Sequence, residues 1–539
     1  FVNTVTVSNV ETVTGGVSAD TVVFAALATA ATVDLGNGAD RLTLGDFANS
    51  LTVSNVETVV GGTSDDIVVL GAVTSGAVVD LGVGTDKLAL AAAGGTVTAS
   101  GVESVLGSAA VDLVTLGAQA TGTSVDLGGG ADRLILGAFV NTVTVFNVET
   151  VTGGASDDLV TLGAAVTAAT LSLGGGADRL ILAATGGTLT AADVETVTGG
   201  TGTDLVTLST QTTGTTIDLG GGADRLTLGA FANTVTVSNV ETLVASASSD
   251  SVTFATALAG SVDLAGGDDA LTLGAFVNTA TVSNVETVTG GASADTVVLA
   301  TQARTLTVDL GDGDDTLRLG AFVNTVTVSD VETVTGGASA DLVTFGAAVT
   351  GAAVDLGAGA DKLTLAAAGA TVTVTSVETV TGAAGDDSVV LSGTVSGATI
   401  DLGAGSDTLT FGSALQTVTV SNVETIVGAA SADTLVLGSA FTAGSVDLAG
   451  GIDTLRLGDV VNTVTVSTGA TVTVSNTETV TGGTSDDTVV LGAATTGATI
   501  DLAAGDDTLV FSAAATVQIA HVEPVTGSSA ADDVTAVGS

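Results

Sequence analysis

Cysteine, methionine, tryptophan and tyrosine are absent from this chain of 539 residues, which has a single proline and a single histidine. The lack of cysteine excludes disulfides, thiolate nucleophiles and cysteine-based zinc sites, and by itself leaves the compartment open. The aromatic residues are 13 phenylalanines, so cores of bulky side chains and sugar-stacking Trp or Tyr platforms are excluded. Positive charge is scarce as well: nine Lys and Arg stand against 58 Asp and Glu, a formal charge of −49. Such a field repels phosphate backbones and anionic lipids and attracts cations, so nucleic acid is not an expected partner. No apolar run approaches the ~18 residues of a spanning helix, and membrane insertion is not expected. No signal peptide precedes Phe1, which reads as the start of a processed or partial chain.

What is present is valine, alanine and leucine interleaved with threonine, as in TVTV at 142–145, and 74 glycines. β-Branched residues alternating with small polar ones favour strands. Periodic Val and Leu argue against the disorder that high charge alone could signal.

The tract SNVET at 8–12 recurs along the whole chain. Its glutamate falls at Glu11, Glu57, Glu103, Glu149, Glu195, Glu241, Glu286, Glu332, Glu378, Glu424, Glu478 and Glu523, at spacings of 46 residues, twice 45 and once 54. A period of this length marks one supersecondary unit stacked on copies of itself. The long spacing comes from a near-duplicated TVTV, a strand-like insertion near 463–471, and the coil from about residue 512 is irregular, with Pro524 after Glu523. Each unit is internally duplicated: VTGGASDDLVTL at 151–162 overlays IDLGGGADRLTL at 217–228. The expectation is an all-β, β-roll-like parallel β-solenoid of about 12 two-coil repeats of 46 residues, the coils about 20 and 26 residues long, forming one continuous domain over 1–539.

The Gly-rich turns carry the chemistry. GGTGTDLVT at 199–207 matches the nonapeptide GGxGxDxUx throughout, with close variants GGVSADTVV at 15–23, GGTSDDIVV at 61–69, GGASADTVV at 290–298 and GGTSDDTVV at 482–490. DLGNGADRL at 34–42, DLGDGDDTL at 309–317 and DLGAGSDTL at 401–409 keep Gly four and two residues before the Asp but have Leu at the first Gly. In most turns of the first kind, Ser replaces the Gly two before the Asp. On these motifs the chain resembles the RTX, or hemolysin-type calcium-binding, repeat proteins.

The resemblance implies that Asp from one turn and carbonyls of the neighbouring coil share calcium ions, a hard cation that takes six to eight oxygens. One series of candidate ligands is Asp20, Asp66, Asp158, Asp204, Asp295, Asp341, Asp387, Asp433 and Asp487. The other is Asp40, Asp86, Asp132, Asp178, Asp224, Asp269, Asp315, Asp361, Asp407, Asp453 and Asp507. The alternative is that these Asp close turns by accepting backbone amides. Carboxylates stacked about 4.8 Å apart repel by about 1 kcal/mol in water and about 3.5 kcal/mol at an effective dielectric of 20, which calls for counterions.

Asp34, Asp80, Asp126, Asp218, Asp263, Asp309, Asp355, Asp401, Asp447 and Asp501 lie six residues before members of the second series, with Ser172 the exception. They read either as further ligands or as outward carboxylates. Arg41, Lys87, Arg133, Arg179, Arg225 and Lys362 directly follow second-series Asp and read as exposed residues that limit repulsion; Arg304 alone is off pattern. The glutamates read as a solvated face.

RTX proteins are typically secreted by the type I route and fold on meeting external calcium. The resemblance therefore implies an extracellular or cell-surface structural role, as surface layer, adhesin stalk or matrix filament, with flanking solenoid or self-association at the N-terminal end. Catalysis is not expected, because a site must break repeat symmetry and the chain offers one His, His521. Ice or polysaccharide binding, through Thr-x-Thr rows, and a calcium-dependent polysaccharide lyase are the alternatives.

Overall fold

The computed structural model describes residues 1–441, 444–457, 473–475, 479–484, 486–491 and 495–537. They are built of short strands in two compact units, residues 1–269 and 270–539. None of the described residues forms a helix long and apolar enough to cross a membrane. The chain is an all-β parallel β-solenoid, as its periodicity predicts.

In the first unit β1 (Thr4–Val7), β2 (Thr12–Gly16), β3 (Thr21–Phe24), β4 (Thr29–Gly36), β5 (Arg41–Thr43) and β6 (Ser50–Ser54) are followed by β7 (Thr58–Gly62), β8 (Ile67–Leu70), β9 (Thr74–Gly82), β10 (Lys87–Ala89), β11 (Gly95–Ser100) and β12 (Ser104–Ser108). Odd strands pair with odd and even with even, always in parallel: Val22 of β3 faces Leu42 of β5, which faces Val59 of β7. One coil is thus two strands and two corners. Alternation puts Leu51 and Val53 of β6 inward and Ser50, Thr52 and Ser54 outward. Val22, Phe24, Val33, Leu35, Leu42 and Val59 fill the narrow space between the sheets, each buried side chain worth about 1.5–3 kcal/mol. The second unit repeats the plan, with Lys362–Thr364 paired in parallel between Leu342–Phe345 and Thr379–Ala383.

The coil count departs from the sequence expectation. The strand that follows the SNVET glutamate is β2 in one sheet, β7 in the other, and β12 in the first again. A repeat of 46 residues therefore spans five strands, two and a half coils, instead of two. The TVTV segment does not lengthen a coil; it takes a full strand position and hands the next repeat to the opposite face. Coils measured between stacked corner residues are mostly 17, 20 or 21 residues long, with 19 from Asp250 to Asp269 and 16 from Asp507 to Glu523, and the pattern returns to the same edge after 92 residues, as from Asn49 to Asn141.

The insertion expected near 463–471 lies outside the described residues. In the last coil Pro524 has no N–H to offer; the Glu523 amide instead reaches the Asp507 carbonyl at 3.1 Å, and the Pro524 carbonyl accepts the Leu509 amide at 2.9 Å.

Arg41, Arg133 and Arg225 each begin a strand of the same sheet, five coils apart, so spin labels on paired cysteine variants Arg41/Arg133 and Arg133/Arg225 will report equal backbone separations of about 24 Å. A separation of about 19 Å would restore the two-coil repeat.

Candidate functional site

The residue just before most strands, or the first of the strand at Asp112 and Asp204, turns into the corner of the coil, where it occupies one of two columns, one per edge. In the first unit one edge carries Asn3, Asp20, Asp40 and Glu57; the other carries Ala28, Asn49, Asp66, Asp86 and Glu103 and then starts over at Ala120, Asn141 and Asp158. Most of the Asp, Asn and Glu members accept the backbone amide of the member one coil earlier; Ala28 and Ala120 only donate within the column, and Asp112 and Asp204 accept the Ser108 and Gly200 amides of their own turns. Asn3 N donates to Asp20 Oδ1 at 2.9 Å, Asp20 N to Asp40 Oδ1 at 2.6 Å and Asp40 N to Glu57 Oε2 at 2.7 Å. On the other edge Asn49 N donates to Asp66 Oδ1 at 2.9 Å, Asp66 N to Asp86 Oδ1 at 2.6 Å and Asp86 N to Glu103 Oε2 at 2.7 Å. The second unit does the same from Asn324 through Asp341 and Asp361 to Glu378, and from Asp387 through Asp407 to Glu424.

Both predicted Asp series stand in these columns, all of them buried. The columns also contain Asp112 and Asp250, which the two series leave out: GSAAVD at 107–112 keeps only the first glycine of the motif and ASASSD at 245–250 has none. What marks them in the sequence is the strand that follows, DLVTL and DSVTF, with apolar residues two and four positions on. The glutamates prove to be column members capping an amide instead of a purely solvated face. Asparagine belongs to the column too: Asn49 Nδ2 donates to Asp66 Oδ1 at 2.9 Å and to the Phe47 carbonyl at 2.6 Å.

The flanking glycines are required by the tightness of the stack. A Cβ on Gly15 would lie 2.3 Å from the Leu35 carbonyl oxygen, and Gly36, at φ +87°, approaches Gly16 O just as closely.

The outward Asp series resolves differently. Asp34 Oδ1 accepts Asn55 Nδ2 from the next coil at 2.7 Å, and Asp126 with Asn147, Asp218 with Asn239 and Asp401 with Asn422 repeat the pair. Asn55 sits at φ 50°, a conformation asparagine tolerates. Where Ser172 replaces the Asp, Asp193 replaces the Asn and the roles reverse, Ser172 Oγ donating to Asp193 Oδ2 at 3.1 Å. In the last coil His521 Nδ1 lies 2.8 Å from Asp501 Oδ1 and holds that carboxyl below its ordinary range. These carboxylates form an outer seam.

Most inner carboxylates spend one oxygen on an amide, while Asp20 spends both, Oδ1 on Asn3 and Oδ2 on Gly16 at 3.3 Å. The second oxygen of Asp66, Asp86, Asp158, Asp178, Asp341, Asp361, Asp387 and Asp407, among others, is buried without a hydrogen-bond partner. Among the described residues no three His, Cys, Asp or Glu side chains converge on one point, so side chains alone do not compose a metal site. Main-chain oxygen is also present in the turn: a Cβ on Gly38 would meet Asp40 Oδ1, the oxygen that accepts the Asp20 amide, at 2.7 Å and the Ser18 carbonyl of the preceding coil at 2.9 Å, and Gly84 stands in the same way between Asp86 Oδ1 and the Ser64 carbonyl. An all-oxygen, anionic cradle of that kind fits a hard cation in its donor chemistry.

No protein-family model matches the chain, and no curated protein matches it in sequence.

Burial pushes Asp86, Asp178, Asp315 and Asp407 up to about 6, opposed by the amide each accepts and reinforced by the neighbouring carboxylates. A carboxyl raised in the folded state stabilises the fold below its unfolded pKa, and that contribution is lost as pH rises through about 6. In chelator-containing buffer the urea midpoint will therefore fall as pH rises from about 5 to about 7.5, and replacing both Asp86 and Asp178 by Asn will flatten the slope. A midpoint rising over that range would contradict the assignment.

Proposed function

We propose that the chain is a non-catalytic, calcium-loaded structural solenoid of an extracellular or cell-surface bacterial protein. The observation that carries this reading is the series of buried carboxylates with one oxygen lacking a hydrogen-bond partner, in turns whose glycines also face a main-chain carbonyl of the preceding coil, within a chain of charge −49. Asp66 and Asp86, and the equivalent pairs further along, would hold the ions. Bound calcium supplies the positive charge that lets consecutive buried carboxylates coexist. The resemblance to RTX repeats supports secretion of an unfolded chain at low internal calcium and stacking of the coils outside.

The Thr rows do not support ice binding. In the β1 sheet one outward row reads Thr4, Thr21, Arg41, Thr58, Val78 and Thr98, so a basic and an aliphatic side chain break the lattice of methyls and hydroxyls.

Calcium removal is expected to abolish the β-type circular dichroism at neutral pH and expand the chain in scattering; an unchanged spectrum after prolonged chelation would refute the reading. Calorimetric titration separates the columns from the seam: Asp204→Asn will lower the stoichiometry by about one ion, while Asp193→Asn, on the outer seam, will leave it unchanged. Equal stoichiometry for the two variants would overturn the ligand assignment.

A further inference from the structure

Asn37 is followed by Gly38, the one Asn-Gly pair in the sequence. Both residues are exposed at the tip of the turn between β4 and β5. The Asn37 amide is fixed on the Gly16 carbonyl at 2.9 Å. Neither the Asn37 carboxamide nor the Gly38 amide is hydrogen-bonded among the described residues, so no bond has to break before the two meet. Gly38 also presents no side chain to obstruct the approach.

We propose that Asn37 is a site of spontaneous covalent modification. The Gly38 nitrogen, losing its proton, attacks Asn37 Cγ; the N–Cγ bond forms, the Cγ–Nδ2 bond breaks, and ammonia leaves with that proton. Water then opens the five-membered succinimide at either carbonyl, giving aspartate or isoaspartate at position 37.

The fold receives the two products differently. The equivalent turn of a later repeat carries Asp312-Gly313, with the Asp312 amide on the Gly291 carbonyl at 3.0 Å, as Asn37 is on Gly16. Aspartate at 37 therefore recreates a turn the solenoid already contains. Isoaspartate adds a main-chain atom three residues before Asp40, which caps the Asp20 amide and is itself capped by Glu57. That product loosens one step of the column. The turn thus ages by two routes, one silent and one damaging.

The test uses the full calcium-saturated chain at mildly alkaline pH and physiological temperature. Trypsin cuts after Arg41, the first basic residue, and releases a peptide containing Asn37. Its one-dalton mass gain is followed over time, and isoaspartate is counted by enzymatic methylation. The folded chain should convert at a rate within about threefold of the urea-unfolded chain, since nothing holds the reacting groups apart. Asn37→Val, which installs the residue found at the equivalent Val83, should abolish the mass gain in that peptide while keeping the fold. Protection by about tenfold or more in the folded chain, or a mass gain that persists in Asn37→Val, would overturn the proposal.

Discussion

The amide at the start of each strand is the constraint on which the solenoid depends. Parallel stacking pairs the strand interiors by an ordinary ladder, and the corner carbonyl joins it, as when Asp20 O accepts the Arg41 amide at 2.9 Å. The amides of the corner Asp and Asn residues are instead met by a side chain of the next coil, as Asp20 N is by Asp40 and Asn49 N by Asp66. A buried amide left unmet costs about 1–3 kcal/mol, and there are two corners in every coil. Asp, Asn and Glu are the side chains seen there because each brings an acceptor back to the main chain of its neighbour.

The solution creates a second difficulty. A hydrogen bond returns about 1 kcal/mol net, whereas consecutive carboxylates at the coil spacing repel by about 3.5 kcal/mol at an effective dielectric of 20. Capping alone does not sustain columns in which Asp66, Asp86 and Glu103 follow one another. Neutralisation has to come from protons or cations. The columns interrupt their own charge as well, with Ala28 and Asn49 before Asp66 and with Ala120 and Asn141 after Glu103.

Much of this was legible in the residues. Val-Thr alternation and Gly turns specified a parallel β-solenoid, and the Asp of both turn types fell on the buried columns. Two things were not legible. Equal repeats in sequence do not reveal whether a unit holds an even or odd number of strands, and only pairing shows that β2 and β7 lie in different sheets. Nor does alternation along a strand indicate the direction of a residue outside it: Glu57 precedes β7, so its carboxylate turns to the Asp40 amide at the corner. The Asn of SNVET had no role in the motif because its partner, Asp34 for Asn55, lies one coil away in an unrelated stretch of sequence.

The central proposal is that the buried second oxygen of column carboxylates such as Asp66 and Asp86 is satisfied by a cation shared with the carbonyls of the preceding coil. Anomalous diffraction from crystals grown with calcium, or with a lanthanide in its place, addresses this directly. The account predicts scattering peaks beside the Asp66–Asp86 step and its equivalents, within coordination distance of Asp86 and of the Ser64 carbonyl. A folded solenoid with no peak at those steps, its second carboxylate oxygens bound only to protons or water, would contradict it.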